Sequence, residues 1–386
     1  MTAVARFIIE AAERSSRYDV TLISLASSFR EPLSQRLISP GSWLGASSEE
    51  GIWEGRPFTH VGSPAAELEV CRYARRRVLS DLLKSVDIVH VVAGAPAWAL
   101  PVIGSGKPVS LHVATRVKVE RRMRDQAGGT APAWWQRTMT RAVSRMELKA
   151  MRSVDAIQVM NYWMLEQALE LNSDRPDVDV RLAPPGVDDT LFRPAPRTDG
   201  RGRYILSVGR FGDPRKNVGL LLDAFARIAS STPDVMLVTA GATPPPATYW
   251  NEVARLGLTD RVRHVARPGI NELVGLYQQA EVFALASDEE GLGVVLLEAM
   301  SCSVPVVSTR SGGPDGVITD GHDGFLTERG DAAELGDKIA LLLQDHGRRQ
   351  IMGLAARRTV EARYAKHVAS EQFVEVWDRL LDRRRA

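Results

Sequence analysis

The sequence predicts two α/β domains in tandem, and three observations carry that expectation. Short β-branched runs alternate with helix-length amphipathic segments through both halves of the chain, which argues for parallel sheets covered on both faces. A length of 386 residues leaves room for two domains of ordinary size, each able to bury a core. Between the two sets of runs lies VDDTLFRPAPRTDGRGR (187–203), rich in Pro, Gly and charge, which reads as the linker.

The chain opens on TAVARFIIEAAERSS, a helix pattern with no strand before it. Folds of this kind begin on a strand, so the expectation is that the sequence starts inside a longer reading frame and lacks its first strand and loop; the alternative is a domain that begins on a helix. Strands are then expected at DVTLISL (19–25), DIVHVVA (87–93), PVSLHVA (108–114), AIQVM (156–160) and VRLAPPG (180–186). In the second half they are expected at YILSVG (204–209), VMLVTAG (235–241), VRHVA (262–266), VFALAS (282–287) and PVVST (305–309). The last residues place Val368, Phe373, Val376, Trp377, Leu380 and Leu381 near helical spacing, an amphipathic terminal helix whose stripe must pack on one of the domains. The expected division is 1–195, 196–365, and a terminal helix 366–386 that packs back on the first domain.

Apolar content of 44% and charged content of 25% are ordinary for a globular protein, and a net charge of +2 makes no case for nucleic acid. Two cysteines, Cys71 and Cys302, form neither a disulfide framework nor a metal pair, which fits a reducing cytoplasm. No segment reaches the roughly 18–20 continuous apolar residues of a membrane span, and no signal peptide precedes the first helix-like run. Only 7 of the 49 basic residues are lysine, a bias from which no function follows.

Two stretches carry chemistry. In SVGRFGDPRKNVGLLLDAF (207–225) a strand ends at Val208, Gly209 allows a tight exit, and Arg210 and Lys216 stand in a loop before a helix. Cations at the C-terminal end of such a strand lie where open α/β sheets bind ligands, and they suit phosphate oxygens; a solvated loop with Asp213 as salt-bridge partner is the plainer reading. In SDEEGLGVVLLEAMSCSVPVV (287–307), Glu290 and Glu298 bracket a glycine turn and the start of an apolar helix. An ionised Glu298 among Val294, Val295, Leu296, Leu297, Ala299 and Met300 is costly unless something takes its hydrogen bonds. Backbone N–H groups of Gly291, Leu292 and Gly293 make an anion- or hydroxyl-binding corner, and a carboxylate pair accepts hydrogen bonds from sugar hydroxyls. The plainer reading is a Glu near a helix N-terminus and a helical Glu facing water.

Taken together, VGRFGDPRKN…LLDAF, the E-x7-E run from Glu290 to Glu298 with EAMSCSVPVV, and STRSGGPDGVITDGHDGFL resemble the retaining glycosyltransferases of family 4. That resemblance covers nearly the whole chain, with weaker echoes in VRLAPPGVDDTLFRP and MRSVDAIQVMN. It implies the GT-B architecture, two Rossmann-like α/β domains with parallel sheets facing a central cleft, closing across the linker. It also implies that Arg210 and Lys216 hold the diphosphate of a nucleotide-sugar, that Glu298 binds the ribose, and that Glu290 with the N–H groups of Gly291, Leu292 and Gly293 holds the transferred sugar. His112 matches the family's N-domain histidine facing the sugar, and Arg267 lies where the base is expected. The implied activity is transfer from a nucleoside diphosphate sugar, UDP ahead of GDP, with retention and with no metal or cofactor. The family's glycine-rich loop after its first strand is absent, PPG (184–186) replaces P-N-G, and Asp315 and Gly316 stand where a glutamate is usual. The alternatives are a sugar-nucleotide epimerase or hydrolase of the same architecture, for which only Glu120 and Asp125 stand near His112 as extra acid/base groups, and a non-catalytic nucleotide-sugar-binding or assembly subunit.

Other signals are weaker. DVD (177–179) matches the metal triplet of another glycosyltransferase fold but lies far from the basic and acidic set, and GSGKP (104–108) lacks the glycine spacing of a phosphate loop. The seven histidines show no metal-ligand spacing. From Arg116 to Arg152 ten basic residues stand against three acidic ones, around APAWWQRTMTRAVSRM with Trp134, Trp135 and Met139. That segment reads as a peripheral contact with anionic lipid, as an acceptor-binding face for an anionic substrate, or as a solvated helix with core tryptophans.

Overall fold

The computed structural model describes residues 2–37, 39, 42, 47–119, 121, 133–196 and 202–385. Its chain divides into two units, Met1–Ala183 with Ser370–Ala386, and Pro184–Ala369. The division falls before the expected boundary at 195/196, and the reason is packing. Segment 184–196 is fastened to the second unit: the Val187 amide donates to Tyr364 O at 2.8 Å, Phe192 is buried edge-to-face on Tyr277, and Arg357 donates to Asp189 O and Phe192 O at 3.0 Å each. A stretch read as linker is therefore structural up to its Pro196, and 197–201 lie outside the described residues.

In the first unit the order is α1 (Thr2–Ser15), β1 (Leu22–Leu25), β2 (Ser48–Trp53), β3 (Arg56–Val61), α2 (Arg77–Leu82), β4 (Val89–Ala93), β5 (Val109–Val113), α3 (Ala133–Met151), β6 (Ala156–Val159), α4 (Tyr162–Leu171) and β7 (Asp179–Leu182). Strands β4-β5-β6-β7 form an all-parallel sheet, while β1-β3-β2 form a second, in which β2 runs antiparallel to β3. The β2–β3 hairpin departs from the all-parallel expectation. Its turn residues Glu54 and Gly55 both have positive φ, 51° and 79°, the signature of a two-residue hairpin turn. Leu111, Ile157, Met151 and Met164 fill the core of the unit.

The second unit runs β8 (Arg203–Val208), α5 (Val218–Ile228), β9 (Val235–Gly241), α6 (Ala247–Arg255), β10 (Val262–Ala266), α7 (Ile270–Gln279), β11 (Val282–Leu285), α8 (Val294–Ser301), β12 (Val306–Thr309), α9 (Pro314–Val317), β13 (Gly324–Thr327), α10 (Ala332–Gln344) and α11 (His346–Arg363). Its six strands are parallel, in the order β10-β9-β8-β11-β12-β13. Buried aliphatic and aromatic side chains such as Ile205, Leu237, Val282 and Phe225 join strands to helices, as sheets covered on both faces require. Strand order reverses between β8 and β11, and the C-terminal ends of the strands at such a reversal are where open α/β sheets take ligands. The final helix α12 (Lys366–Arg385) contributes its residues from Ser370 to the first unit, where Phe373, Val376, Trp377 and Leu380 are buried.

Candidate active site

The site is built on the two loops that leave β8 and β11 at the switch point. Leaving β8, Asp213 accepts from the Arg215 amide at 3.1 Å, and Asn217, in the left-handed region at φ 42°, caps α5 by accepting from the Leu220 amide. The loop leaving β11 is pinned to it: the Asp288 amide donates to Arg215 O at 2.8 Å, and Asn217 Nδ2 donates to Asp288 Oδ1 at 2.9 Å.

This stitching sets Lys216 against Glu290. The Lys216 ammonium donates to Glu290 Oε1, which also accepts from Ser287 Oγ at 2.7 Å. Both side chains are largely out of water, 15% and 10% exposed, and a pair so enclosed persists only with its charges matched and its hydrogen bonds supplied. Arg210 stands in the same loop with its guanidinium 68% exposed and 3.6 Å from Asp213; it does not join the Lys216–Glu290 pair.

A third loop, after β12, holds the Glu290 backbone. The Glu290 amide donates to Ser311 O, and the Gly313 amide donates to Glu290 O, each at 2.9 Å. A Cβ on Gly313 would lie 2.6 Å from the backbone of Leu292, so only glycine allows this approach. Gly293, at φ 80°, turns the chain into α8. Asp315, in the position where the family usually has a glutamate, accepts from the Gly312 amide at 2.7 Å.

About one turn into α8, Glu298 is half-buried, and the buried Tyr277 hydroxyl of α7 donates to its Oε2 at 2.6 Å. Desolvation pushes the Glu298 carboxyl up to about 7, while the Tyr277 bond pulls the other way. Burial, then the Glu298 charge, raises the Tyr277 hydroxyl far above its usual range and the nearby Cys302 thiol to about 12. Among the described residues Tyr277 is thus the side-chain partner of this carboxyl, which burial among apolar side chains pushes up to about 7.

The remaining expected residues are scattered. Arg267 is exposed at the C-terminal end of the edge strand β10, with φ 48° and its amide donating to Gly241 O at 2.9 Å. His112, expected at the sugar, lies instead at 0% exposure in the core of the first unit, so its ring offers no surface to a ligand. There it stacks near His90, meets Phe373 edge-to-face at 5.2 Å, and Nε2 lies 3.0 Å from Ala183 O. That carbonyl can only accept, which puts the ring proton on Nε2.

Sequence reasoning missed Ser287 and Tyr277. Ser287 and Glu290 stand at the spacing of a capping box, a readable signal, yet here the two side chains bond each other. Tyr277 reads as an ordinary core aromatic, and nothing in its spacing points to Glu298. The DVD triplet is structural: Asp179 pairs with Arg181 at 2.8 Å and Arg379 at 3.1 Å. Glu120 and Asp125 lie outside the described residues.

Known proteins resemble the chain in sequence and in fold. A sequence profile of the family described as Glycosyl transferases group 1 matches residues 188–359. The D-inositol 3-phosphate glycosyltransferase of Arthrobacter sp. (strain FB24) is 30% identical over 312 residues, 76% of this chain and 69% of that one. The GDP-mannose-dependent alpha-(1-6)-phosphatidylinositol monomannoside mannosyltransferase of Mycolicibacterium smegmatis is 32% identical over 198 residues, 47% of this chain and 52% of that one. Among solved structures, sucrose-phosphate synthase from Thermosynechococcus elongatus matches with a TM-score of 0.71 at 20% identity, over 98% of this chain and 92% of that one, a likeness of fold alone.

Proposed function

We propose, from the premise that this chain belongs to the glycosyl transferases group 1 family and is a glycosyltransferase of the two-domain GT-B fold, that it is a retaining, metal-independent enzyme of family 4 type using a nucleoside diphosphate sugar. The observation that carries the reading is the Lys216–Glu290 pair at the strand-order reversal, where parallel sheets take their ligands.

Cleaving the glycosyl–phosphate bond leaves the electron pair on a β-phosphate oxygen. Charge appears there in the transition state, and preorganised cations lower the barrier directly. In this proposal Lys216 and the exposed Arg210 meet the diphosphate. Glu290, with the N–H groups of Gly291, Leu292 and Gly293, holds hydroxyls of the transferred sugar. Glu298 accepts from the ribose, and Arg267 stands on the side of the base. Until the donor arrives, Lys216 and Glu290 satisfy each other; the phosphate and sugar then take over those hydrogen bonds. Retention follows from attack on the face that the leaving group vacates, and the two cations supply the charge a divalent ion would.

UDP is placed ahead of GDP as the nucleotide, and the GDP-mannose dependence of the M. smegmatis relative makes guanosine the competing arm. The acceptors named for the two relatives direct acceptor trials to phosphorylated inositols. A reducing, cytoplasmic setting is part of the proposal, supported by two free cysteines.

The test is a panel of UDP-glucose, UDP-N-acetylglucosamine and GDP-mannose, read by thermal shift and by slow donor hydrolysis with a chelator present. The expected result is stabilisation and hydrolysis by at least one donor, insensitive to the chelator, with donor and product sharing one anomeric configuration. Failure of every nucleotide sugar to bind contradicts the donor site; loss of turnover on chelation contradicts metal independence; an inverted product contradicts retention.

A further inference from the structure

Among the described residues, one face of α3 has no partner. Arg137, Arg141, Arg145 and Lys149 recur at four-residue steps, which sets them along one side of the helix, and all four are exposed. None of them makes an ion pair or a side-chain hydrogen bond to a described residue, whereas the next cation, Arg152, is held by Asp174 at 2.7 Å. Like charges at this spacing weaken a helix. The helix's one acid does not relieve them: Glu147 is fully buried on the opposite side, accepting from the Val117 amide at 2.7 Å.

The same face is apolar at both ends. Trp134, three residues before Arg137 and seven before Arg141, is 66% exposed, and Leu148, three after Arg145, is 37% exposed. Trp135 packs edge-to-face on Trp134 and is itself 38% exposed. Val143, Ala150 and Met151 bury the other side. An aromatic side chain at the end of a cationic row matches a lipid interface: indole sits at the headgroup level while long basic side chains reach the phosphates. A nucleic-acid backbone matches the charges but offers nothing to Leu148. No described helix is long and apolar enough to cross a membrane.

We propose that this face of α3 docks the protein on the surface of an anionic lipid bilayer. The contact is peripheral, made by four cations with Trp134 and Leu148 at the headgroup boundary, and it weakens with salt. It stands independently of the donor site.

The test is sedimentation of the full chain with vesicles of phosphatidylcholine alone, or with roughly one third phosphatidylglycerol added, at low and high salt. The wild type is expected to sediment with the anionic vesicles only, and to be released by salt. The double variant Arg141→Gln/Arg145→Gln removes two exposed charges and is expected to lower partitioning about 25-fold, about fivefold per cation. Trp134→Ser is expected to lower it as well, with unchanged thermal unfolding in both cases. Equal binding to neutral vesicles, no binding to anionic ones, or undiminished binding by the double variant overturns the proposal. Tighter retention on heparin than on anionic vesicles, with Trp134→Ser without effect, assigns the face to a polyanion and also overturns it.

Discussion

The hydroxyl of Tyr277 donates to the carboxylate of Glu298 at 2.6 Å, joining two helices of the second unit. This bond favours the ionised carboxylate while the apolar surroundings oppose it, and the balance sets ionisation at about 7. In the proposed ribose contact an ionised Glu298 accepts at both oxygens, whereas the protonated acid gives one of them to its own proton, so donor affinity is expected to rise as pH climbs through neutrality. Tyr277→Phe removes the opposing bond and is expected to move that rise upward by on the order of one pH unit. Donor dissociation constants measured by calorimetry across the range check it; an unmoved midpoint contradicts the coupling.

His90 and His112 act on stability with the opposite sign to a salt-bridged histidine. Burial lowers them to about 3 and about 4, against an ordinary value near 6.5 in the unfolded chain. As pH falls from about 6.5 towards 4 the unfolded chain takes up protons that the folded core refuses, so stability is lost across that window. His112→Asn cannot titrate and is expected to lose less between neutral and acid pH, although its stability at neutral pH is lower. Calorimetric melting at several pH values measures both slopes, and identical slopes contradict the buried, neutral assignment.

Most of the sheet architecture was legible because β-branched runs at helix-length intervals leave few alternatives. Strands such as β8, β11 and β12 need no tertiary information: Ile205 and Val208, like Val282 and Val306, announce them locally. The β2–β3 hairpin was not seen, although Glu54-Gly55 between two extended runs was available as a turn signal. Four-residue β13 is too short to show a period. The residue types singled out in the sequence, Arg210, Lys216 and Glu290, stand on the loops that leave β8 and β11, and those loops meet where strand order reverses. What could not be read was pairing: that Lys216 meets Glu290, that Glu298 meets Tyr277, and that His112 points into a core closed by the terminal helix. Each depends on elements distant in the chain.

Gly313 offers a steric test of the loop arrangement. A methyl group there meets the Leu292 backbone, which cannot rotate away, so the segment carrying Glu290 must shift. Gly313→Ala is expected to destabilise by about 1–3 kcal/mol and to weaken donor binding. Gly275, inside α7, has open space where a Cβ would stand. Gly275→Ala is expected to raise stability by up to about 1 kcal/mol through helix propensity. Urea unfolding compares the two, and a Gly313→Ala variant as stable as its parent contradicts the close approach.

The most direct measurement is donor titration of the wild type, Lys216→Ala and Glu298→Ala by calorimetry, with cooperative unfolding verified for each. Loss of a hydrogen bond to a charged group amounts to about 1.5–3 kcal/mol, so both variants are predicted to bind the donor roughly 10- to 100-fold more weakly. Affinity equal to wild type in both contradicts a sugar-nucleotide site on the loops that leave β8 and β11.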